Sequence, residues 1–254
     1  MAQSIDLNAD LGEGFGECRL AGDEALLDLV SSANIACGFH AGDATTMMDT
    51  VRAAKQRGVS IGAHPSYPDL PGFGRRELGL GPAQISFHVE AQIRSLAEVC
   101  SAASARLSYV KPHGALYNRA AKDPNAARAI AVAIRDVDPT LTLLGLAGSA
   151  MARAAADSGI PFASEAFVDR AYTSDATLVP RGEKNSVIED VDEAVERALQ
   201  LARDHSVRAI SGEVLRVDAM SLCVHGDNPE AAKLLRAVRA RLELESFSIV
   251  PFAK

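Results

Sequence analysis

The stretch 33–64, ANIACGFHAGDATTMMDTVRAAKQRGVSIGAH, contains one full period of the chain's architecture. An apolar run at 33–37 ends in a glycine-flanked turn that holds His40, between Gly38 and Gly42. Asp43 or Thr45 then stands where a helix needs a side-chain cap. A helical stretch follows, and a second apolar run at 59–63 ends on His64. Strand, helix and strand in that order predict a parallel pair joined by a right-handed crossover.

Working outward, the same rhythm recurs. Strands are expected at 4–8, 107–110, 141–146, 161–164, 220–224 and 247–250. The clearest helix is 82–103, with Ile85, Val89, Ile93, Leu96 and Cys100 spaced three and four apart on one face. Helices are also expected at 190–203 and 229–242, and Asp123-Pro124 and Asn228-Pro229 are start signals. About seven such units over 254 residues predict an α/β fold, a (β/α) barrel of about seven parallel strands in a single domain, 1–254. The segment 207–224 reads as a hairpin around Ser211-Gly212. Two long connections, 64–81 and 165–184, break the rhythm, and loops of that length in a compact domain are usually functional.

Composition narrows the function. Lys plus Arg number 26 against 33 Asp plus Glu, a formal charge of −7 that argues against a binder of nucleic-acid backbone. No apolar run is long enough to span a membrane. Aromatic residues make up 5% of the chain and Trp is absent, which disfavours a sugar-stacking platform. Cys18, Cys37, Cys100 and Cys223 show no metal-ribbon spacing, and the N-terminus has no signal-peptide pattern. A reduced, cytoplasmic protein is the expectation.

In a parallel barrel, the C-terminal strand ends carry the chemistry. Four of the six histidines fall there: His40, His64, His113 and His225. The other two fit structural places, His88 within a helix and His205 at a helix C-terminus. Alternation along the first strand puts Asp6, Asn8 and Asp10 on one face. Lys111 ends an apolar run where an unpaired ammonium would be costly. Three uses of this cluster stay open: metal ligation by Asp10, His40 and His64, proton transfer, or recognition of substrate oxygens. Arg75, Arg76, Arg170 and Arg181 lie in the long loops, and Asp169, Arg170 and Tyr172 are candidates for gripping a carboxylate. Neither GxxxxGK[ST] nor a strand-to-helix GxGxxG is present, and Gly12-Glu13-Gly14-Phe15-Gly16 matches neither, so the chain makes no case of its own for a nucleotide.

DLNADLGE from Asp6, NIACGFHAGD from Asn34, IGAHPSYPDLPGFGRR from Ile61, YVKPHGALYN from Tyr109, EAFVDRAY from Glu165, LVPR from Leu178 and CVHGD from Cys223 stand in order along nearly the whole chain. In these motifs the chain resembles the LamB/YcsF family, which supplies the A subunit of the prokaryotic ATP-dependent 5-oxoprolinase. The resemblance implies a seven-stranded barrel similar to those of sugar deacetylases and glycosidases. It implies opening of the lactam of 5-oxo-L-proline to L-glutamate, driven by ATP with Mg, together with the B and C subunits of 5-oxoprolinase. ATP is then expected on the partners and not on this chain alone. Within that frame, Asp10, His40, His64, Lys111 and His113 are the expected catalytic residues. Asn8, Arg75, Asp169, Arg170 and His225 are expected to bind substrate. A divalent metal on Asp10, His40 and His64 stays open. Two rival readings remain: a metal-dependent carbohydrate deacetylase-like hydrolase, and a non-catalytic component that only delivers substrate.

Overall fold

The structure is a computed structural model and describes residues 3–15, 22–225 and 230–253. Cys18, Gly16, Asp227 and the Asn228-Pro229 helix start lie outside the described residues. In chain order the elements are β1 (Gln3–Leu11), α1 (Asp23–Leu27), β2 (Ser32–Ala36), α2 (Ala44–Gln56), β3 (Ser60–His64), α3 (Pro82–Ala102) and β4 (Leu107–Val110). There follow α4 (Gly114–Lys122), α5 (Pro124–Val137), β5 (Thr142–Leu146), α6 (Ala150–Ser158) and β6 (Phe162–Phe167). The chain ends with α7 (Val191–Asp204), β7 (Ser206–Arg208), β8 (Val214–Arg216), β9 (Ser221–Val224), α8 (Ala231–Leu244) and β10 (Phe247–Ile249).

Strands β1, β2, β3, β4, β5, β6 and β9 are hydrogen-bonded in that order, all parallel, and β9 pairs back onto β1. The seven-stranded barrel is therefore closed. β10 lies parallel to the start of β1. β7 and β8 form the expected hairpin, shorter than anticipated, because the chain re-enters the barrel as β9.

The helices follow their start signals. Asp43, not Thr45, caps α2 by accepting from the Thr46 amide at 2.8 Å. Asp123 caps α5 ahead of Pro124, and Asp190 caps α7. α3 buries Ile85, Val89, Ile93, Leu96 and Cys100 as spaced, and also Gln92. Gln92 explains how the long loop is held. Its amide oxygen accepts from the Ser66 N–H at 2.9 Å and its amide nitrogen donates to the Ser66 carbonyl at 2.8 Å.

The barrel interior is unusually polar for this architecture. Asp6, Asn8 and Asp10 from β1 point inward with Ser32, Asn34, Tyr109, Lys111, Glu165 and Ser221, all buried. The Tyr109 ring fits only because β3 has no side chain beside it. A Cβ on Gly62 would lie 2.1 Å from the Tyr109 ring. Phe252 stacks edge-on against Tyr109 at 4.9 Å, and Ser60 donates to the Ala253 carbonyl, so the C-terminal tail packs over the end of the barrel opposite the strand C-termini. Among the described residues no helix is long and apolar enough to cross a membrane.

Candidate active site

At the deepest level, Asp6 accepts hydrogen bonds from Ser31 and Ser32, each at 2.6 Å, and from Ser221. Burial still dominates and raises its pKa to about 6, against the lowering effect of the three hydroxyls. Folding therefore favours protonated Asp6. Its stabilising contribution is complete below about pH 4 and is lost as pH rises through about 6, a swing of about 3 kcal/mol. Urea unfolding of the protein and of Asp6→Asn across that window checks this. The stability of the native chain should fall relative to the variant as pH rises, and parallel curves would contradict it.

Above Asp6, Asn34 donates to Asn8 Oδ1 at 2.7 Å and to Asp10 Oδ1 at 2.9 Å, and Tyr109 donates to Asn34 at 2.8 Å. The Lys111 ammonium sits on this layer, 3.1 Å from Asn8 Oδ1, 3.2 Å from Asp10 Oδ1, 3.1 Å from Glu165 Oε2 and 3.1 Å from Cys223 Sγ. Burial opposes its charge. Asp10, with Cys223 and Glu165 behind it, outweighs burial and holds the lysine well above its ordinary pKa. Asp10 in turn is held well below the carboxylate range: burial raises it, but His64 and Lys111 together prevail. An ionised Lys111 is thus fixed at the base of the barrel mouth.

The histidines divide into two stations. On one wall, His64 Nδ1 lies 2.7 Å from the Lys111 carbonyl and His64 Nε2 lies 3.3 Å from Asp10 Oδ1. His113 Nδ1 is 3.0 Å from His64 Nε2, and His113 Nε2 is 3.0 Å from the Phe73 carbonyl. Burial, then His40 and His64, push His113 well below its ordinary pKa. The His40 ring stacks on His113 at 3.9 Å, and its Nε2 meets Glu13 Oε1 at 3.3 Å. Burial lowers His40 to about 3, so it is a neutral ring. Gly74, in the left-handed region, lets the long loop lie against this stack: a Cβ there would sit 2.9 Å from an atom of each of these two histidines.

On the other wall, Asp169 grips His225. Its carboxylate accepts from the His225 amide at 3.0 Å and meets His225 Nδ1 at 2.9 Å. Burial raises the Asp169 pKa, but the charge and hydrogen bonds of His225 bring it below the ordinary value. The His225 ring stacks on Phe167 at 5.2 Å, and Lys111 lies over the same Phe167 ring at 5.1 Å.

Both stations open into one cavity of about 420 Å³. Of the ten expected site residues, Asp10, His64, Arg75, Lys111, His113, Arg170 and His225 line it. Asn8, His40 and Asp169 stand behind that lining and hold residues that do. Arg170 is buried and bonds the Ser186 and Val179 carbonyls, tying the second long loop together, and Tyr172 accepts the Phe167 N–H at 2.7 Å. Arg75 and Arg181 also border the cavity, whereas Arg76 pairs with Asp69 within its own loop.

Sequence reading did not assign Glu13, Glu165 or Tyr117 to the site. Glu13 joins Asp10, His64 and His113 in a group whose ligand atoms all lie within 4.8 Å of one another and which is able to hold a metal ion. His40 is not part of that group. Glu165 lies inside β6, two residues past Ala163 on the same face, and the expected strand stopped one residue short of it. Tyr117 lines the cavity from α4. Cys37, Cys100 and Cys223 are buried free thiols.

A relative from Paracidovorax citrulli, named as the A subunit of 5-oxoprolinase, is 51% identical over 98% of this chain and 99% of its own length. A second, of the same name, from Streptomyces avermitilis is 52% identical over 98% of this chain and all of its own. The crystal structure of the lactam utilization protein from Thermus thermophilus superposes with a TM-score of 0.92 at 42% identity, over 98% of this chain and all of that one. A T48 deacetylase (TM-score 0.51, 14% identity, 98% of this chain and 88% of that one) shares the fold alone. The LamB/YcsF family model matches residues 5–254, and with motifs, fold and full-length relatives in agreement, the chain belongs to the LamB/YcsF family.

Proposed function

We propose that this chain is the A subunit of an ATP-dependent 5-oxoprolinase and that the lactam of 5-oxo-L-proline is opened at its barrel mouth. The observation that carries the site is the buried, ionised Lys111 at the base of a cavity of about 420 Å³ with a histidine station on either wall. Ring opening adds water to the lactam carbonyl carbon and breaks its C–N bond. Negative charge grows on the carbonyl oxygen, the attacking water loses a proton, and the departing nitrogen gains one.

The residues suit those demands. Lys111 offers a fixed positive charge to the oxygen, which counts for more in a buried site than in water. Asp10 and His64 form the station that receives the water proton. His225, oriented by Asp169, delivers a proton to the nitrogen. Arg75 and Arg181, at the cavity border, face the substrate carboxylate. A lactam is a resonance-stabilised amide and a poor electrophile, so its oxygen is first phosphorylated by ATP. Water then adds to the carbon and the C–N bond breaks to the protonated nitrogen. The acyl phosphate so formed is attacked by a second water, the step in which charge grows on its carbonyl oxygen before phosphate leaves. The chain has neither nucleotide fingerprint, and the phosphorylation, with ATP and Mg, is assigned to the B and C subunits. A cytoplasmic complex of the three, acting on a small acid, is the reading in full.

A role in delivery alone gives no use for two acid–base stations around an ammonium. The deacetylase reading draws on the metal-capable group and predicts amide or ester hydrolysis by this chain alone. An assay of ATP-coupled glutamate release from 5-oxo-L-proline, omitting each of the three subunits in turn, separates them. Release is expected only with all three present. Undiminished release without this chain would overturn the proposal.

A further inference from the structure

We propose that Asp10, Glu13, His64 and His113 form a binding site for a transition-metal dication of the zinc class, with His40 as the positioning residue for Glu13. Hydrogen positions decide the character of this cluster. A backbone carbonyl can only accept, so His64 Nδ1, 2.7 Å from the Lys111 oxygen, carries a hydrogen and donates it. His113 Nε2, 3.0 Å from the Phe73 oxygen, does the same. When each ring carries only that hydrogen, its other nitrogen is a bare lone pair. Those two nitrogens, His64 Nε2 and His113 Nδ1, point at one another across 3.0 Å. Asp10 Oδ1 is 3.3 Å from the first and Glu13 Oε1 is 3.7 Å from the second. Four acceptor atoms thus converge in a buried space, an arrangement that a cation stabilises.

The spacing identifies the class of cation. A zinc-type ion binds nitrogen and oxygen at about 2.0–2.1 Å, and the edges of such a tetrahedron are about 3.3–3.4 Å long. Three of the six edges between these ligand atoms, 3.0, 3.3 and 3.7 Å, bracket that length, and all six lie within 4.8 Å. Two imidazoles and two carboxylates are also the donor types that suit this class better than calcium or magnesium.

His40 supplies the support that such ligands need. It is fully buried, and its Nδ1 has no hydrogen-bond partner among the described residues. A buried bare nitrogen costs less than a buried unpaired N–H, so the hydrogen belongs on Nε2, which then donates to Glu13 Oε1 at 3.3 Å. The ring is fixed by its stack on His113. Three of the four ligands, Asp10, His64 and His113, also line the cavity, so an ion there borders whatever the cavity holds; by occupying the His64 Nε2 lone pair it would take the place of the Asp10–His64 station in activating water. The site stands on the geometry of these residues and holds whether or not the lactam is the substrate.

The test is titration of the full-length chain, stripped by chelator, with Co²⁺, read by visible absorption and by competition with a chromophoric chelator. One equivalent should bind with the intense visible band of a tetrahedral site. His64→Gln and His113→Gln should each weaken binding at least about 100-fold, and His40→Ala about 10–100-fold. His88→Gln, on α3 away from the site, should bind as the native chain does. Circular dichroism shows which variants are folded, and Asp10→Asn provides a further ligand variant should one histidine variant not fold. Absence of stoichiometric uptake by the folded native chain, or uptake unaffected by His64→Gln and His113→Gln, would overturn the proposal and leave a proton shared between the two rings.

Discussion

Replacing Lys111 with methionine is expected to lower turnover of the assembled enzyme by about 10²–10³-fold, the loss seen when a single stabiliser of developing oxyanion charge is removed. Stability should fall with it. Lys111 neutralises a buried layer in which Asp10 and Glu165 both approach within 3.2 Å of its ammonium. Methionine approaches the length of the lysine side chain but leaves those carboxyl groups without their cation, and breaking a buried pair in this way costs about 3–5 kcal/mol. Urea unfolding measures the second effect and glutamate release at saturating 5-oxo-L-proline the first. Turnover near the native rate would remove Lys111 from the chemistry, whatever the change in stability.

The second large effect is expected at the opposite wall. His225→Ala should reduce kcat by about 10²–10⁴-fold, the usual range for a positioned acid, with KM little changed. Asp169→Asn should reproduce part of that loss. The carboxylate now accepts from both the amide and the ring of His225, and an amide side chain offers only one accepting oxygen for the two. A raised KM at unchanged kcat would instead place His225 in substrate binding.

The barrel was legible because its strands are short apolar runs that end in glycine and histidine, and because three inward polar residues on β1 could not be explained by an apolar core. All eight expected strands are present. The four strand-end histidines do converge on one mouth. They separate into a His40–His64–His113 wall and a His225 wall, a division that depends on strand order around a closed barrel and not on spacing along the chain.

What stayed hidden did so for identifiable reasons. Glu165 interrupts an apolar run in the same way as Lys111, but Lys111 follows its strand whereas Glu165 lies within one, so the run was cut before it. The two charges explain each other only once β4 and β6 lie on either side of β5 in the closed barrel. Glu13 lies beyond the end of β1, where alternation no longer says which way a side chain points. Arg170 reads in sequence as a substrate grip because a guanidinium can hold a carboxylate with two parallel hydrogen bonds, and it does line the cavity. Its bonds to Val179 and Ser186 exist only in the folded loop.

Opening of the lactam in this pocket is tested most directly by kcat at saturating 5-oxo-L-proline. The measurement is made on the three-subunit enzyme carrying Asp10→Asn, His40→Ala or Lys111→Ala in this chain. All three substitutions should lower kcat, Asp10→Asn and Lys111→Ala by about 10²-fold or more. Near-native kcat in all three, with only KM raised, would contradict chemistry here and leave this chain as the component that delivers substrate.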